Sequence, residues 1–231
     1  MTRVFAHRGA AQSAPENSLE AFSSAAALGA DGVELDVRRT IDGALVVAHD
    51  ASIAGLGSIS QLELAELPAQ VTLLSSALEL CVPMTVNVEI KNSPAEPGHD
   101  PSGSLVDQVL TVIVELDLRD DVLISSFDLA TLEAVRRLDG QIEIGLLVEP
   151  GAELSEALEI VTDSGFDALH PFVLGLDQDL VDACQSRGIA VNTWTVNAEH
   201  DLRAMVEIGV DAVITDDVAL ARRVVDGSSS G

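Results

Sequence analysis

Positive charge is scarce in this chain. Twelve basic residues stand against 38 acidic ones, a formal net charge of −26 over 231 residues, and lysine occurs once, as Lys91. Such a surface repels phosphate backbones and anionic lipid heads at long range, which excludes nucleic acid and anionic membrane as partners. Any anionic ligand must therefore be met by a locally built positive site, and so rare a lysine is not there for general solubility. Cysteine is scarce too. Cys81 and Cys184 stand alone in apolar stretches, without a CxxC or Cys/His grouping, so thiolate metal centres and dithiol redox chemistry are excluded and two buried free thiols are expected. No window approaches the ~18 uncharged apolar residues that a membrane span needs. The opening MTRVFAHRG carries no apolar signal-peptide core, and a cytoplasmic location is expected.

What is present is apolar and regularly spaced. With 47% hydrophobic residues and a mean hydropathy of +0.30, the chain can bury one large core, and a single domain over residues 1–226 is expected, ending in a disordered GSSSG tail at 227–231. Short β-branched runs alternate with amphipathic segments, the rhythm of βα units on a parallel sheet. The runs lie at 3–7, 33–38, 84–91, 122–127, 143–148, 167–172, 190–196 and 212–216; helices are expected at 18–28, 105–116, 129–138, 154–164, 178–187, 198–208 and 218–225. NSLE at 17–20 resembles a capping box, and Gly29, Gly165, Gly188 and Gly209 close helices. Eight strands in this rhythm predict an α/β fold, a (β/α)8 TIM barrel, with a doubly wound open sheet as the alternative. The second unit is long, and residues 40–72 are read as a short insertion after strand 2 at the barrel mouth.

In a barrel the chemistry gathers at the C-terminal ends of the strands. The polar residues obey that rule: His7 and Arg8 end the first strand, Glu34 and Asp36 lie on the second, His49 ends the extended piece after it, and Glu89 and Lys91 end the third. Strand alternation sends Glu34 and Asp36 to one side and Val33, Leu35 and Val37 to the other. Two such carboxylates, with Cα atoms ~6.5 Å apart, repel by ~3 kcal/mol at an effective dielectric of about 20. Joined by Glu89 they make an oxygen-only donor set, which suits a hard divalent cation: Mg²⁺, Ca²⁺ or Mn²⁺. Pairing of Glu34 with Arg8 or Arg38 is the reading without a metal. Two histidines converging on such a cluster suit acid/base work, and Arg8 and Lys91 supply charge for an anionic group. Together they point to a phosphate ester as substrate. Phe127 and Trp194 at strand ends are expected to wall the pocket, Asn17 either to touch the carboxylates or to cap a helix, His170 to sit on the rim, and Asp216 and Asp217 to cap the last helix or to pair with arginine.

The ordered motifs HRG, PEN, AFSSAAALGADGVELDVRRTIDGALVVAHD, VNVEIK, SSF, VNTWTV and VDAVITDD run from residue 7 to 217. In them the chain resembles the glycerophosphodiester phosphodiesterases. The resemblance implies a TIM barrel that hydrolyses glycerophosphodiesters to sn-glycerol 3-phosphate and an alcohol with one divalent cation. It implies Glu34, Asp36 and Glu89 as metal ligands, His7 and His49 as the acid/base pair with His7 taken as the base, and Arg8 and Lys91 on the phosphate. The implied route passes through a cyclic phosphate, and small-molecule diesters are the implied partners. The same barrel acting on lysophospholipids, and a non-catalytic phosphate-binding barrel, are the alternatives. Where the family carries a longer insertion after the second histidine, this chain has only the short AQVTLLSSALEL.

Overall fold

Eight parallel strands close on themselves. The computed structural model describes residues 1–228. The barrel strands are β1 (Arg3–Ala6), β2 (Gly32–Arg39), β7 (Thr85–Ile90), β8 (Val122–Ser126), β9 (Glu143–Val148), β10 (Ala168–Pro171), β11 (Ala190–Thr193) and β12 (Ala212–Thr215). They pair in chain order, and β1 closes the ring by pairing with both β2 and β12. The helices are α1 (Leu19–Ala27), α2 (Leu74–Cys81), α3 (Ser104–Glu115), α4 (Leu129–Leu138), α5 (Leu154–Ser164), α6 (Gln178–Ser186), α7 (Glu199–Glu207) and α8 (Val218–Ser228). Outward strand residues such as Val33, Leu35, Val86, Val88, Ile124 and Ile144 are fully covered by the helices and form one continuous core. Burial of this kind stabilises by roughly 25 cal/mol per Å² of apolar surface, which makes it the main force holding the ring closed.

The helix ends follow from local chemistry. Ser18 accepts the Ala21 N–H at 3.1 Å and caps α1. The third helical position is Ala21, with Glu20 one place earlier, so the expected capping box has no acidic half. Gly165 ends α5 in the left-handed region, at φ +64°, where a side chain would be strained. Helix α8 continues through Gly227 and Ser228, the first two residues of the segment expected as a disordered tail; 229–231 lie outside the described residues.

Between β2 and α2 the chain builds a small flap over the mouth. Strand β3 (Leu45–Val47) pairs antiparallel with the end of β2, and β6 (Thr72–Leu73) pairs with β3. The hairpin of β4 (Ser52–Ile53) and β5 (Gly57–Ser58) projects between them. Val46, Ile59 and Leu67 give the flap its own apolar centre, separate from the main core. Arg38 donates to the His49 carbonyl from Nε at 2.9 Å and from Nη2 at 2.6 Å, and to Glu96 at 2.9 Å. One guanidinium thus ties β2, the flap and the loop after β7 together, which fixes where His49 stands. Cys81 and Cys184 are buried free thiols, and none of the described helices is long and apolar enough to cross a membrane.

Candidate active site

The pairing of β2 with β7 sets Asp36 opposite Glu89 and Glu34 opposite Asn87. With inward parity on both strands, Glu34, Asp36 and Glu89 each offer an oxygen within 4.8 Å of the others, and all are buried. Glu34 accepts the Arg8 N–H at 2.9 Å through one oxygen; neither its Oε1 nor Asp36 Oδ1 accepts a hydrogen bond from any described residue. Burial first, and then Asp36 beside it, push Glu34 up to about 8. The same two causes, in the same order, push Glu89 up to about 7 against the pull of Lys91. Asp36 is also buried, but Lys91, Arg8 and the Asn17 amide hold it below the usual carboxylate range.

Two cations face these three anions. Lys91 Nζ lies 2.7 Å from Glu89 and 3.3 Å from Asp36, and Arg8 Nε lies 3.3 Å from Asp36. Glu89 and Asp36 oppose the effect of burial on Lys91 and hold its ammonium above the ordinary lysine range. One negative charge is left without an answer in a buried place, which is what drives the two glutamates upward. The unpartnered Glu34 Oε1, the all-oxygen donors and the surplus charge fit a divalent cation. Arg8 and Asn17 both adopt positive φ, at 56° and 57°. That bend brings the Arg8 amide to Glu34 and the Asn17 amide to Asp36, at 2.8 Å. Asn17 therefore serves the carboxylates, and the cap is Ser18. Of the readings open for Glu34, pairing with the Arg8 side chain does not occur; the contact is to the backbone.

His7 follows β1 and His49 follows β3, and both strands pair with β2. His7 Nδ1 lies 2.7 Å from Asp216 Oδ1. The hydrogen bond from His7 holds Asp216 below its ordinary range, so its carboxylate accepts; Nδ1 then carries the proton and Nε2 is the free nitrogen. Burial works to lower His7, yet the Asp216 bond and the Glu34 charge outweigh it and raise the imidazole above its usual value. His49, a third exposed, has its Nδ1 2.9 Å from Asp50. Both histidines, with Arg8, Lys91, Glu34, Glu89, Phe127 and Trp194, line one cavity of 280 Å³. Phe127 and Phe172 both meet Trp194 edge-on, with centroids 5.5 and 5.3 Å away. The indole donates to the His170 carbonyl at 2.8 Å, which holds the aromatic wall upright.

Two readings from the sequence change here. His170 is not an exposed rim residue; it is fully buried, with its ring over Gly145, and burial pushes it down to about 3. Asp216 is not a helix cap. Asp217 caps α8 through the Leu220 N–H at 2.9 Å, while Asp216 turns to His7 and to Asn197, at 2.6 Å. The signal for Asp216 lay in closure of the ring: β1 and β12 pair Ala6 with Thr215, so the next residues, His7 and Asp216, stand side by side.

Known proteins are similar to this chain over nearly its whole length. The model of the glycerophosphoryl diester phosphodiesterase family matches residues 7–220. A glycerophosphodiester phosphodiesterase of Caldanaerobacter subterraneus is 33% identical over 94% of each chain. The crystal structure of the glycerophosphodiester phosphodiesterase of Thermotoga maritima is similar with a TM-score of 0.82 at 28% identity, covering 97% of this chain and 98% of that one. An Oleispira antarctica phosphodiesterase, solved in complex with the product sn-glycerol-3-phosphate, is similar with a TM-score of 0.82 at 26% identity, covering 100% of this chain and 98% of that one. With a match of that extent, and the barrel and acidic cluster in place, the chain belongs to the glycerophosphoryl diester phosphodiesterase family of enzymes.

Proposed function

We propose that this protein hydrolyses glycerophosphodiesters to sn-glycerol 3-phosphate and an alcohol, by metal-dependent acid/base catalysis with two histidines. The observation that carries the reading is a single cavity in which a buried carboxylate trio with surplus negative charge lies beside His7, itself backed by Asp216 at 2.7 Å. The product complex of the Oleispira antarctica relative supports the substrate class.

In this reading Glu34, Asp36 and Glu89 hold the cation, as Mg²⁺, Ca²⁺ or Mn²⁺. When bound, it supplies Lewis-acid stabilisation of charge on the phosphoryl oxygens. Arg8 and Lys91 contact the phosphate, and Phe127 and Trp194 shape the wall against which the organic part rests. His7 takes the proton of the glycerol 2-hydroxyl at Nε2 as that oxygen attacks phosphorus, and Asp216 stabilises the imidazolium that results. His49 protonates the departing alkoxide. Water then opens the cyclic phosphate, with His49 taking its proton and His7 returning one to the 2-oxygen.

The test is release of glycerol 3-phosphate from a panel of glycerophosphodiesters, first with EDTA and then with each cation restored. Release that EDTA abolishes and a divalent cation restores is expected, with Glu34→Ala and His49→Ala inactive but folded. Intact turnover by either folded variant would overturn the reading. A second substrate class has one observation in its favour. A groove of 590 Å³, lined by Leu154, Leu158, Phe172 and Leu174 among several carboxylates, shares the wall residue Glu149 with the catalytic cavity. Micellar lysophospholipid therefore belongs in the panel, and its turnover in preference to soluble diesters would favour that substrate.

A further inference from the structure

Beside the carboxylates, a band of polar side chains lies inside the barrel. Asn87 on β7, Ser125 on β8, His170 on β10 and Asn192 on β11 are all at most 1% exposed. Their positions follow from strand register. Asn87 stands opposite Glu34, Ser125 opposite both Glu89 and Gly145, and the His170 ring lies over Gly145, where a methyl group would run into it. Asn192 Nδ2 lies 3.0 Å from His170 Nε2. Side chains of β7, β8, β10 and β11 thus face the same interior, and Asn87 also lines the catalytic cavity.

Within this band five polar atoms find no hydrogen-bond partner among the described residues: Asn87 Oδ1 and Nδ2, Ser125 Oγ, His170 Nδ1 and Asn192 Oδ1. Buried polar atoms are almost always paired, because an unpaired one forfeits its hydrogen bonds to water without replacement. Five together would consume a large part of the stability of a domain. Their chemistry defines what satisfies them. The side chains are neutral amides, a hydroxyl and an imidazole, so nothing selects an ion. If the Asn192 amide donates to Nε2, the uncharged ring carries its proton on Nδ1 and needs an acceptor; with the amide reversed, Nδ1 needs a donor. A ligand that both donates and accepts, and is small enough for a barrel interior, is water.

We infer that the barrel contains a built hydration site, in which two or more water molecules are held between Asn87, Ser125, His170 and Asn192 as a fixed part of the fold. These waters adjoin the catalytic cavity at Asn87, beside two of the three carboxylates. The site does not depend on the reaction the enzyme performs.

Oxygen-17 magnetic relaxation dispersion on the full-length protein counts internal waters with long residence times. The wild type is expected to hold such waters, with Asn87→Leu and Asn192→Leu each losing at least one. An unchanged count in the folded variants would overturn the inference. Should the leucine variants fail to fold, an atomic-resolution crystal structure of the unmodified protein decides. Two or more ordered waters, each within hydrogen-bonding distance of two of the four side chains, support the site. The four side chains bonded directly to one another, with no solvent density between them, refute it.

Discussion

His7 and Asp216 are 209 residues apart in the chain and 2.7 Å apart in space. The aspartate fixes which imidazole nitrogen holds the proton, so in the proposed reaction its effect falls on proton transfer, while its contribution to the core is small: Asp216 is a third exposed and also bonds Asn197. Asp216→Asn keeps the shape and removes the charge. We expect kcat to fall by about 100-fold, the lower end of what positioned acid/base groups contribute, with the thermal midpoint nearly unchanged. A kcat within a few-fold of wild type would show that His7 does not rely on this partner. The histidine itself was legible in the sequence because it ends an apolar strand. Its partner was not, because only closure of the ring brings the last strand beside the first. His170 shows the complementary limit. It was read as a rim residue because it ends a strand run, but strands are tilted in a barrel, and the depth a side chain occupies depends on a stagger that one strand's sequence does not carry.

At the scale of elements, the segment from Asn92 to Gly103 joins β7 to α3 and carries Glu96, one wall residue of the catalytic cavity. Its anchor is Asp100, which accepts from the Leu105 N–H at 2.7 Å, the Ser102 N–H at 2.9 Å and Arg39 at 3.1 Å. The Asn92 side chain in turn holds the Asp100 backbone on both sides, at 2.7 and 3.1 Å. Burial works against the Asp100 charge, but the Ser102 bonds, the Leu105 amide and Arg39 prevail and bring it down to about 2. A carboxylate lowered on folding adds stability above its unfolded value, near 4, and that stability is lost as pH falls through 4 towards 2. The difference amounts to about 2 kcal/mol. Asp100→Asn should cost about this much at pH 7 in denaturant unfolding, and the gap to wild type should close by pH 2. A gap that persists undiminished to pH 2 would assign the loss to packing. The order of this stretch is not visible in the sequence, since it comes from Arg39 on β2 and from Asn92 reaching across to Asp100 at the other side of the loop. The flap over the mouth was legible as an insertion for a related reason: its strands β4, β5 and β6 have two residues each, too few to show a period.

For the whole molecule, the eight-fold rhythm was readable because two periods, two residues in strands and 3.6 in helices, repeat with glycine between them, and outward and inward faces followed from parity alone. The charge was equally plain, and it has a consequence for binding. With a divalent cation bound as proposed, the three buried carboxylates, Arg8 and Lys91 leave a single positive charge in the cavity, against a net −26 over the chain. The local charge acts only within the cavity. The global one reaches as far as the Debye length, which is about 30 Å at 0.01 M salt and about 8 Å at 0.15 M. A singly anionic diester approaching from solution therefore meets repulsion at low salt that disappears at physiological strength. With the cation held at saturation, kcat/KM for a diester with a neutral alcohol should rise about two- to five-fold between 10 and 150 mM NaCl, while kcat stays level, because screening changes approach and binding and leaves the chemical step alone. A diester whose alcohol carries a cationic nitrogen is net neutral and should show little dependence. A fall in kcat/KM with salt for the anionic diester would mean that the field of Arg8, Lys91 and the cation extends beyond the mouth and steers substrate in.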